Sequence, residues 1–245
     1  SELMPVIREL IRKTTPLLEH EVSTEFSKNC VYGTKFHAEK VSSQDHRYFS
    51  KKRPPEEEPS LVVALRIDQS ASMKAFERLE AAKRAAVAVY EFCAACKIPL
   101  LIYGDTADRS PIERMSMYSY IDWEEPELND KYSLMAIQSH SNNRDGMALR
   151  ILAEKLVKMP QTTKLLISIS DGQPKAMPEY TGQAAIDDMK QIISEYNRKG
   201  ILFLAAAIGQ DKDTISDIYG QERFLDMSNL RQLPIQLIRI ISGFL

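Results

Sequence analysis

The chain has 245 residues and a formal net charge of −2, with 32 Lys and Arg against 34 Asp and Glu. Hydrophobic residues make up 44% of it and charged residues 27%, which is typical of a globular protein and excludes a disordered, collagen-like or disulfide-rich chain. The near-neutral charge argues against nucleic acid as the main partner. The longest purely apolar run, residues 201–208, is well short of the roughly 18 residues that a membrane span needs.

The start of the chain and its cysteines bear on where the protein works. The first residue is Ser1 and no secretion signal follows it, so we expect a piece of a longer, cytoplasmic protein. Cys93 and Cys96 form a C-x-x-C pair late in a predicted helix. A redox pair would lie at a helix N-terminus, and a zinc site would need a second pair of ligands. We therefore expect both thiols to be buried in the packing.

The first 59 residues differ from the rest in composition and in hydrophobic pattern. Apolar residues at helical spacing predict a helix over residues 3–26, kinked or split at Pro16. Residues 28–53 look irregular and carry seven Lys and Arg against two acidic residues. A solvated arm is the favoured interpretation of this basic stretch, and a docking surface for an anionic partner is the alternative. A linker rich in proline and glutamate, residues 54–59, ends this N-terminal helical and basic extension, residues 1–53.

From residue 60 onward, strands alternate with helices. Short apolar runs predict the strands, at residues 61–67, 98–103, 115–121, 164–170, 201–208 and 224–225. Three- and four-residue spacing predicts the helices, at residues 76–96, 147–157, 183–197 and 230–244, with a short helix before the last strand. Such alternation favours parallel strands joined by right-handed crossovers. We therefore predict an α/β domain over residues 60–245, with a doubly wound, mostly parallel sheet flanked by helices.

Polar side chains follow these strands at the edge where doubly wound sheets bind ligands. Asp68, Ser70 and Ser72 follow the first strand in an Asp-x-Ser-x-Ser pattern. Asp145 lies between two helical segments, and Asp171 follows a later strand. Three carboxylates at one edge repel each other unless a cation neutralises them, and we expect no counter-cation of the chain there. Hard oxygen ligands suit Mg²⁺ or Mn²⁺, so the pattern predicts a divalent metal site. The alternative is that these residues are ordinary helix caps and turn formers.

The pattern also resembles a known family. Asp68-x-Ser70-x-Ser72 after a first apolar strand, with Asp171-Gly172 after a later one, resembles the metal-ion-dependent adhesion site of von Willebrand factor A domains. The resemblance covers roughly residues 60–245. It implies their Rossmann-like fold.

Two further motifs resemble one bacterial branch of that family. An N-x-D-G-x-A-L pattern begins at Asn143, and Ser-Asp-Gly-Gln-Pro begins at Ser170. The branch contains the T subunit of aerobic cobaltochelatase and the nitric oxide reductase activation protein. Two positions depart from the usual family pattern: Ala71 stands where Gly is usual, and Asp145 stands in a loop that commonly offers Thr.

The resemblance implies a ligand set and partners. Ser70 and Ser72 would bind Mg²⁺ directly, with Mn²⁺ as the alternative ion. Asp68 and Asp171 would bind it directly or through water, and Asp145 would take the place of the Thr. A further coordination position would accept an Asp or Glu of a partner protein. The branch implies a non-catalytic module that works with a MoxR-like AAA+ ATPase in metal insertion into, or activation of, a client metalloenzyme.

A different class of function uses the same cation. A metal-dependent hydrolase or phosphoryl-transfer enzyme would need a nucleophile or general base beside the metal. Of the four His, only His140 lies near a candidate loop, and we expect it to be a surface residue. No G-x-x-x-x-G-K-[ST] motif occurs, so ATP hydrolysis by this chain is not expected. Cell-surface adhesion is a third interpretation, which the missing signal peptide disfavours.

Overall fold

The computed structural model describes residues 4–21, 26–30, 32, 35–38, 47–52, 60–108, 114–124, 130–171, 174–176, 179–208, 212–226 and 231–244. The predicted linker, residues 54–59, lies outside the described residues, as do Gly172 and Gln173 of the loop after Asp171. None of the described helices is long and apolar enough to cross a membrane.

The described part of the N-terminal extension contains a helix and a small antiparallel sheet. Helix α1 (Met4–Glu21) runs through Pro16 without the predicted split. The sheet has the order β1-β3-β2 and consists of β1 (Phe26–Cys30), β2 (Lys35–Phe36) and β3 (Phe49–Lys52). The prediction of irregular structure over residues 28–53 is therefore wrong at these strands. Strands of two to five residues are too short for a hydrophobic period to reveal.

A larger sheet forms the centre of the domain. Its strands are β4 (Leu61–Asp68), β5 (Leu100–Ala107), β6 (Met115–Ile121), β7 (Thr163–Ser170), β8 (Ile201–Ala207) and β9 (Phe224–Asp226). Within the described residues the strand order is β6-β5-β4-β7-β8-β9, and every pair is parallel except β5 with β6. The predicted mostly parallel α/β fold is confirmed.

Helices cover both faces of this sheet. They are α2 (Arg78–Ala95), α3 (Asp145–Val157), α4 (Gly182–Asn197), α5 (Lys212–Tyr219) and α6 (Leu233–Ser242). One buried cluster joins the sheet to α2 and α6, and it includes Ile7 of α1, so the N-terminal helix packs on the α/β domain. The other cluster joins the sheet to α3, α4 and α5.

Alternation along β4 assigns its side chains to these two faces. Leu61, Val63, Leu65 and Ile67 belong to the cluster with α2 and α6, whereas Val62 and Ala64 belong to the cluster with α3, α4 and α5. Because side chains in a strand alternate with period two, Arg66 and Asp68 continue the second face. All eight residues of β4 are buried, so both charged side chains are buried as well.

Strand register brings the polar loops together. Ile67 of β4 pairs with Ile169 of β7, and Asp68 pairs with Asp105 of β5. The carboxyl ends of these three parallel strands therefore meet at one edge, as expected for a doubly wound sheet. The loops that carry Asp68 and Asp171 are neighbours there.

Cys93 and Cys96 lie in and directly after α2, and both side chains are buried and free. Burial raises the pKa of Cys96 to about 11 and raises the pKa of Cys93 further above its usual value. In a Cys30→Ser variant, which removes the third cysteine, we expect neither remaining thiol to react with a thiol reagent while the protein is folded, because the thiolate is the reactive form. Two thiols should react after unfolding in urea. Rapid labelling of the folded variant would contradict this packing role.

Candidate metal centre

Four of the five predicted site residues form one hydrogen-bonded chain at the carboxyl edge of the sheet. The Asp68 carboxylate accepts the Ser70 backbone N–H at 2.7 Å, which turns the chain directly after β4. Ser70 Oγ lies 2.9 Å from Ser72 Oγ, and Ser72 Oγ donates to Asp171 Oδ1 at 2.8 Å. The structure thus brings four of the five predicted residues together. Their binding of a metal remains a prediction.

The spacing of these oxygens suits a small divalent ion. Adjacent ligands in an octahedral Mg²⁺ shell lie about 3.0 Å apart, which is √2 times the usual Mg–O distance of about 2.1 Å. The two observed separations, 2.9 Å between Ser70 and Ser72 and 2.8 Å between Ser72 and Asp171, are close to that value, although they are also ordinary O–H···O hydrogen-bond lengths. Among the described residues no three His, Cys, Asp or Glu side chains form a metal-binding group, so a metal here would depend on the serine hydroxyls.

Asp145 is joined to this chain through Asn143. Asn143 Nδ2 lies 3.2 Å from Asp68 Oδ2 and 3.2 Å from Asp145 Oδ1. The backbone of Asn143 is itself fixed, because its N–H donates to the carbonyl oxygen of Lys175 at 3.1 Å. Asn143 Oδ1 accepts the Lys175 N–H at 2.9 Å. The loop after β7 therefore positions the residue that connects Asp145 to Asp68.

Gly146 lets helix α3 begin close to α4. Its N–H donates to the Tyr180 hydroxyl at 3.0 Å, and that hydroxyl donates to Asp188 Oδ2 at 2.8 Å. A Cβ at position 146 would lie 2.1 Å from Asp188 Oδ2 and 2.6 Å from the Tyr180 hydroxyl oxygen. The glycine after Asp145 is therefore needed for the contact that fixes the start of α3.

A buried arginine contradicts the expectation that this edge lacks a counter-cation. Arg66 Nε and Nη2 donate to Asp105 at 2.6 and 2.7 Å, and Nη2 also donates to Asp145. Arg66 Nη1 donates to Ser168 Oγ at 3.1 Å. The side chain is fully buried. Sequence reasoning missed Arg66 and Asp105, although a lone Arg in an otherwise apolar strand, two residues before Asp68, is a visible signal.

A second arginine lies nearer the surface. Arg78, at the start of α2, donates to Asp171 Oδ2 at 2.6 Å, and its side chain is 13% exposed. Asp171 therefore has Arg78 on one oxygen and Ser72 on the other. This ion pair balances the charge of Asp171. The sequence prediction had left that carboxylate without any partner of opposite charge.

The buried carboxylates keep an excess of negative charge even with Arg66 present. Asp68, Asp105 and Asp145 are each at most 1% exposed, and among the described residues Arg66 is the guanidinium that contacts Asp105 and Asp145. Counted over these four side chains alone, without the buried Arg144 beside Asp145, three carboxylates and one guanidinium give −3 + 1 = −2. Burial, together with the neighbouring charge of Asp145, raises the pKa of Asp68 to about 6. Burial also raises the pKa of Asp145 to about 6 despite Arg66. Two further positive charges would balance the negative charge of these four side chains.

His140, the histidine nearest the site in the sequence, lies at the surface against an aromatic ring. Its side chain is exposed and its ring stacks on Tyr118, with centroids 5.0 Å apart. The expectation of a surface residue is confirmed.

Comparison with known proteins identifies distant relatives. No family model matches the chain. It is 27% identical over 258 aligned residues to the uncharacterized protein YojO of Bacillus subtilis, which covers 98% of this chain and 38% of YojO. It is 26% identical over 191 residues to Protein NorD of Brucella melitensis, covering 75% of this chain and 30% of NorD. The chain thus spans between 30% and 38% of the length of these curated relatives.

Solved structures share the fold. A von Willebrand factor type A structure from Catenulispora acidiphila matches 78% of this chain with a TM-score of 0.53 and 15% identity, over 43% of its own length. The von Willebrand factor domain of the pilus tip protein Mfa5 from Porphyromonas gingivalis matches 75% of this chain with a TM-score of 0.54 and 11% identity, over 94% of its length. The predicted fold and the resemblance to the nitric oxide reductase activation branch are confirmed.

Replacing Arg66 tests how much of the fold depends on its ion pairs. Loss of one partner of a buried ion pair typically costs about 3–5 kcal/mol, because the other charge stays buried and unpaired. We expect Arg66→Met to lower the free energy of unfolding by about that amount, measured by urea denaturation in EDTA.

A surface ion pair provides the control for Arg66→Met. Lys190 Nζ lies 2.7 Å from Asp217, with side chains 38% and 64% exposed, and Lys190→Met should cost less than about 1 kcal/mol. Equal losses in the two variants would show that Arg66 is not needed to balance the buried carboxylates.

Proposed function

We propose that this chain, a von Willebrand factor A domain protein related to NorD, is a non-catalytic module that binds Mg²⁺ and docks a partner protein through it. Mn²⁺ is the alternative ion. Ser70 and Ser72 would bind the ion directly, and Asp68 and Asp171 directly or through water. The observation that supports this most strongly is the excess charge of −2 on the buried Asp68, Asp105, Asp145 and Arg66, which a divalent cation would balance.

The charge balance also supports docking of a carboxylate. The ion pair of Asp171 with Arg78 adds no net charge. Counted over these four carboxylates and two guanidiniums alone, the loaded site would sum to −4 + 2 + 2 = 0. The three carboxylates of the sequence prediction, without a counter-cation, would give −3 + 2 = −1 with the ion bound. A neutral site repels an incoming Asp or Glu less, and a metal–carboxylate contact is lost whenever the ion leaves.

The surface around the serines leaves room for a partner. Ala71 and Ser72 are exposed, and Met147, two residues after Asp145, is 44% exposed. Ala71 has no long side chain to shield the hydroxyl beside it. Met147 offers an exposed apolar side chain near the start of α3, and exposed methionines suit adaptable protein interfaces. A partner segment with an exposed carboxylate could therefore approach the serine hydroxyls.

The similarity to NorD supports the class of partner that the resemblance implies. We propose a MoxR-like AAA+ ATPase and a client metalloenzyme, in a cytoplasmic setting. The free thiols of Cys93 and Cys96 agree with a reducing compartment. A hydrolase or phosphoryl-transfer role is the less supported candidate, because His140 is engaged in stacking on Tyr118. Assays of the Mg²⁺-loaded protein on generic phosphatase and nuclease substrates separate the two classes.

Metal binding should be saturable and should stabilise the fold. At a hundredfold excess over its dissociation constant, Mg²⁺ adds about 2.7 kcal/mol to the free energy of unfolding. We expect Asp68→Ala and Ser70→Ala to abolish the heat of Mg²⁺ binding in calorimetry and this stabilisation. Ser194→Ala is the matched control, because Ser194 is exposed near the end of α4, at the opposite edge of the sheet. Unchanged Mg²⁺ binding by Asp68→Ala would refute the ligand assignment.

Docking should depend on the ion. We expect a MoxR-like ATPase or its client to be captured by the immobilised chain in Mg²⁺, and to be lost in EDTA or with Ser70→Ala. Ser194→Ala should capture it normally. Capture that survives both EDTA and Ser70→Ala would place the docking surface elsewhere, with the basic residues of the N-terminal extension as the next candidate.

A further inference from the structure

Asp145 has two possible partners of positive charge, Arg66 and the proposed divalent ion. In the structure its carboxylate accepts a hydrogen bond from Arg66 Nη2. The resemblance instead predicts that Asp145 replaces the Thr that approaches the metal. Asn143 stands between the two possibilities, since its amide lies 3.2 Å from both Asp145 Oδ1 and Asp68 Oδ2.

We propose that Arg66 is an internal counter-ion that competes with the divalent cation for Asp145. This inference rests on the proposed metal site and deepens it, because it names the residue that sets the cation affinity of that site. Without the ion, Asp145 pairs with Arg66. When the ion binds, Asp145 turns towards it and Arg66 keeps its other partners.

The hydrogen-bond geometry allows that exchange. Arg66 donates to Asp105 from both Nε and Nη2, at 2.6 and 2.7 Å, and from Nη1 to Ser168 at 3.1 Å. These three bonds hold the guanidinium in place whether or not Asp145 stays on it. Asp145 supplies a single hydrogen bond to Arg66. Nη2 carries two N–H groups, one directed to Asp105 and the other to Asp145, so the departure of Asp145 takes the partner from one buried N–H and adds to the cost of the exchange.

The exchange has a consequence for affinity. The cation must displace Asp145 from a buried partner, so part of its binding free energy is used to break that contact. Arg66 therefore weakens cation binding and keeps it reversible. It also keeps Asp145 paired when the ion is absent, which limits the cost of an empty buried site.

A charge-neutral double substitution tests the competition. Arg66→Met with Asp105→Leu removes one positive and one negative charge, so the buried cluster stays at −2, and apolar replacements of buried ion pairs can preserve a fold. After the fold is checked by circular dichroism, we expect calorimetry to show Mg²⁺ binding at least about tenfold tighter than in the parent, because Asp145 has lost its internal partner.

The gain must depend on Asp145. Adding Asp145→Asn to the double variant should remove the gain in Mg²⁺ affinity. The same substitution in the parent should weaken Mg²⁺ binding by a smaller factor. A double variant that binds Mg²⁺ no tighter than the parent would overturn the competition. A parent that binds no Mg²⁺ at millimolar concentration would overturn the proposed function itself.

A measurement on the unmodified protein covers the case in which the double variant does not fold. Arginine side-chain nitrogen NMR reports each N–H of Arg66 separately. We expect Mg²⁺ to shift the Nη signals of Arg66 strongly and its Nε signal, bonded to Asp105, much less. Shifts of the Ser70 and Ser72 backbone amide signals with no change at Arg66 would overturn the competition. That result would still support the metal site. No change at any of them would refute the metal site.

Discussion

The burial of Arg66 is the constraint on which this edge of the sheet depends. Its guanidinium binds Asp105 on β5, Asp145 at the start of α3 and Ser168 on β7, while its backbone belongs to β4. One side chain thus joins four separate elements. A buried charge without partners is very costly, so the native arrangement must bring all of these partners to Arg66 at once. The loops that carry the serines are built on a base fixed in this way.

Above that base, the site changes from charged and buried to polar and accessible. Asp68, Asp105 and Asp145 are covered, whereas Ser72 is exposed. Ser70 lies between the two layers, 5% exposed and within hydrogen-bonding distance of Ser72. A docking partner would therefore meet neutral hydroxyls first, and the carboxylates that balance an ion would lie beneath. Such layering lets a cation be held from below while one side stays open.

The fold could be predicted because its signal is local. Apolar runs and helical spacing lie within single elements, and alternation with helices implies parallel strands. The Asp-x-Ser-x-Ser loop is local too. The ion pair of Arg66 with Asp105 was missed because it joins residues on two strands and depends on register, here Asp68 opposite Asp105. The pairing of Arg78 with Asp171 depends likewise on how α2 sits beside β7. The strands β1–β3 escaped prediction because they are too short to show a period.

Gln69 also holds the loop that carries Ser70 and Ser72, from the side opposite Arg66. Gln69 is fully buried, and its Nε2 donates to the Tyr120 hydroxyl at 2.9 Å and to the Gln138 carbonyl oxygen at 2.7 Å. It packs on Gly104, where an added Cβ would lie 1.9 Å from Gln69 Oε1. These contacts fix the backbone of the loop that carries Ser70 and Ser72. A loop fixed in this way would lose little entropy on binding the proposed ion, so the affinity would depend chiefly on the charge balance beneath the loop, to which Arg66 contributes.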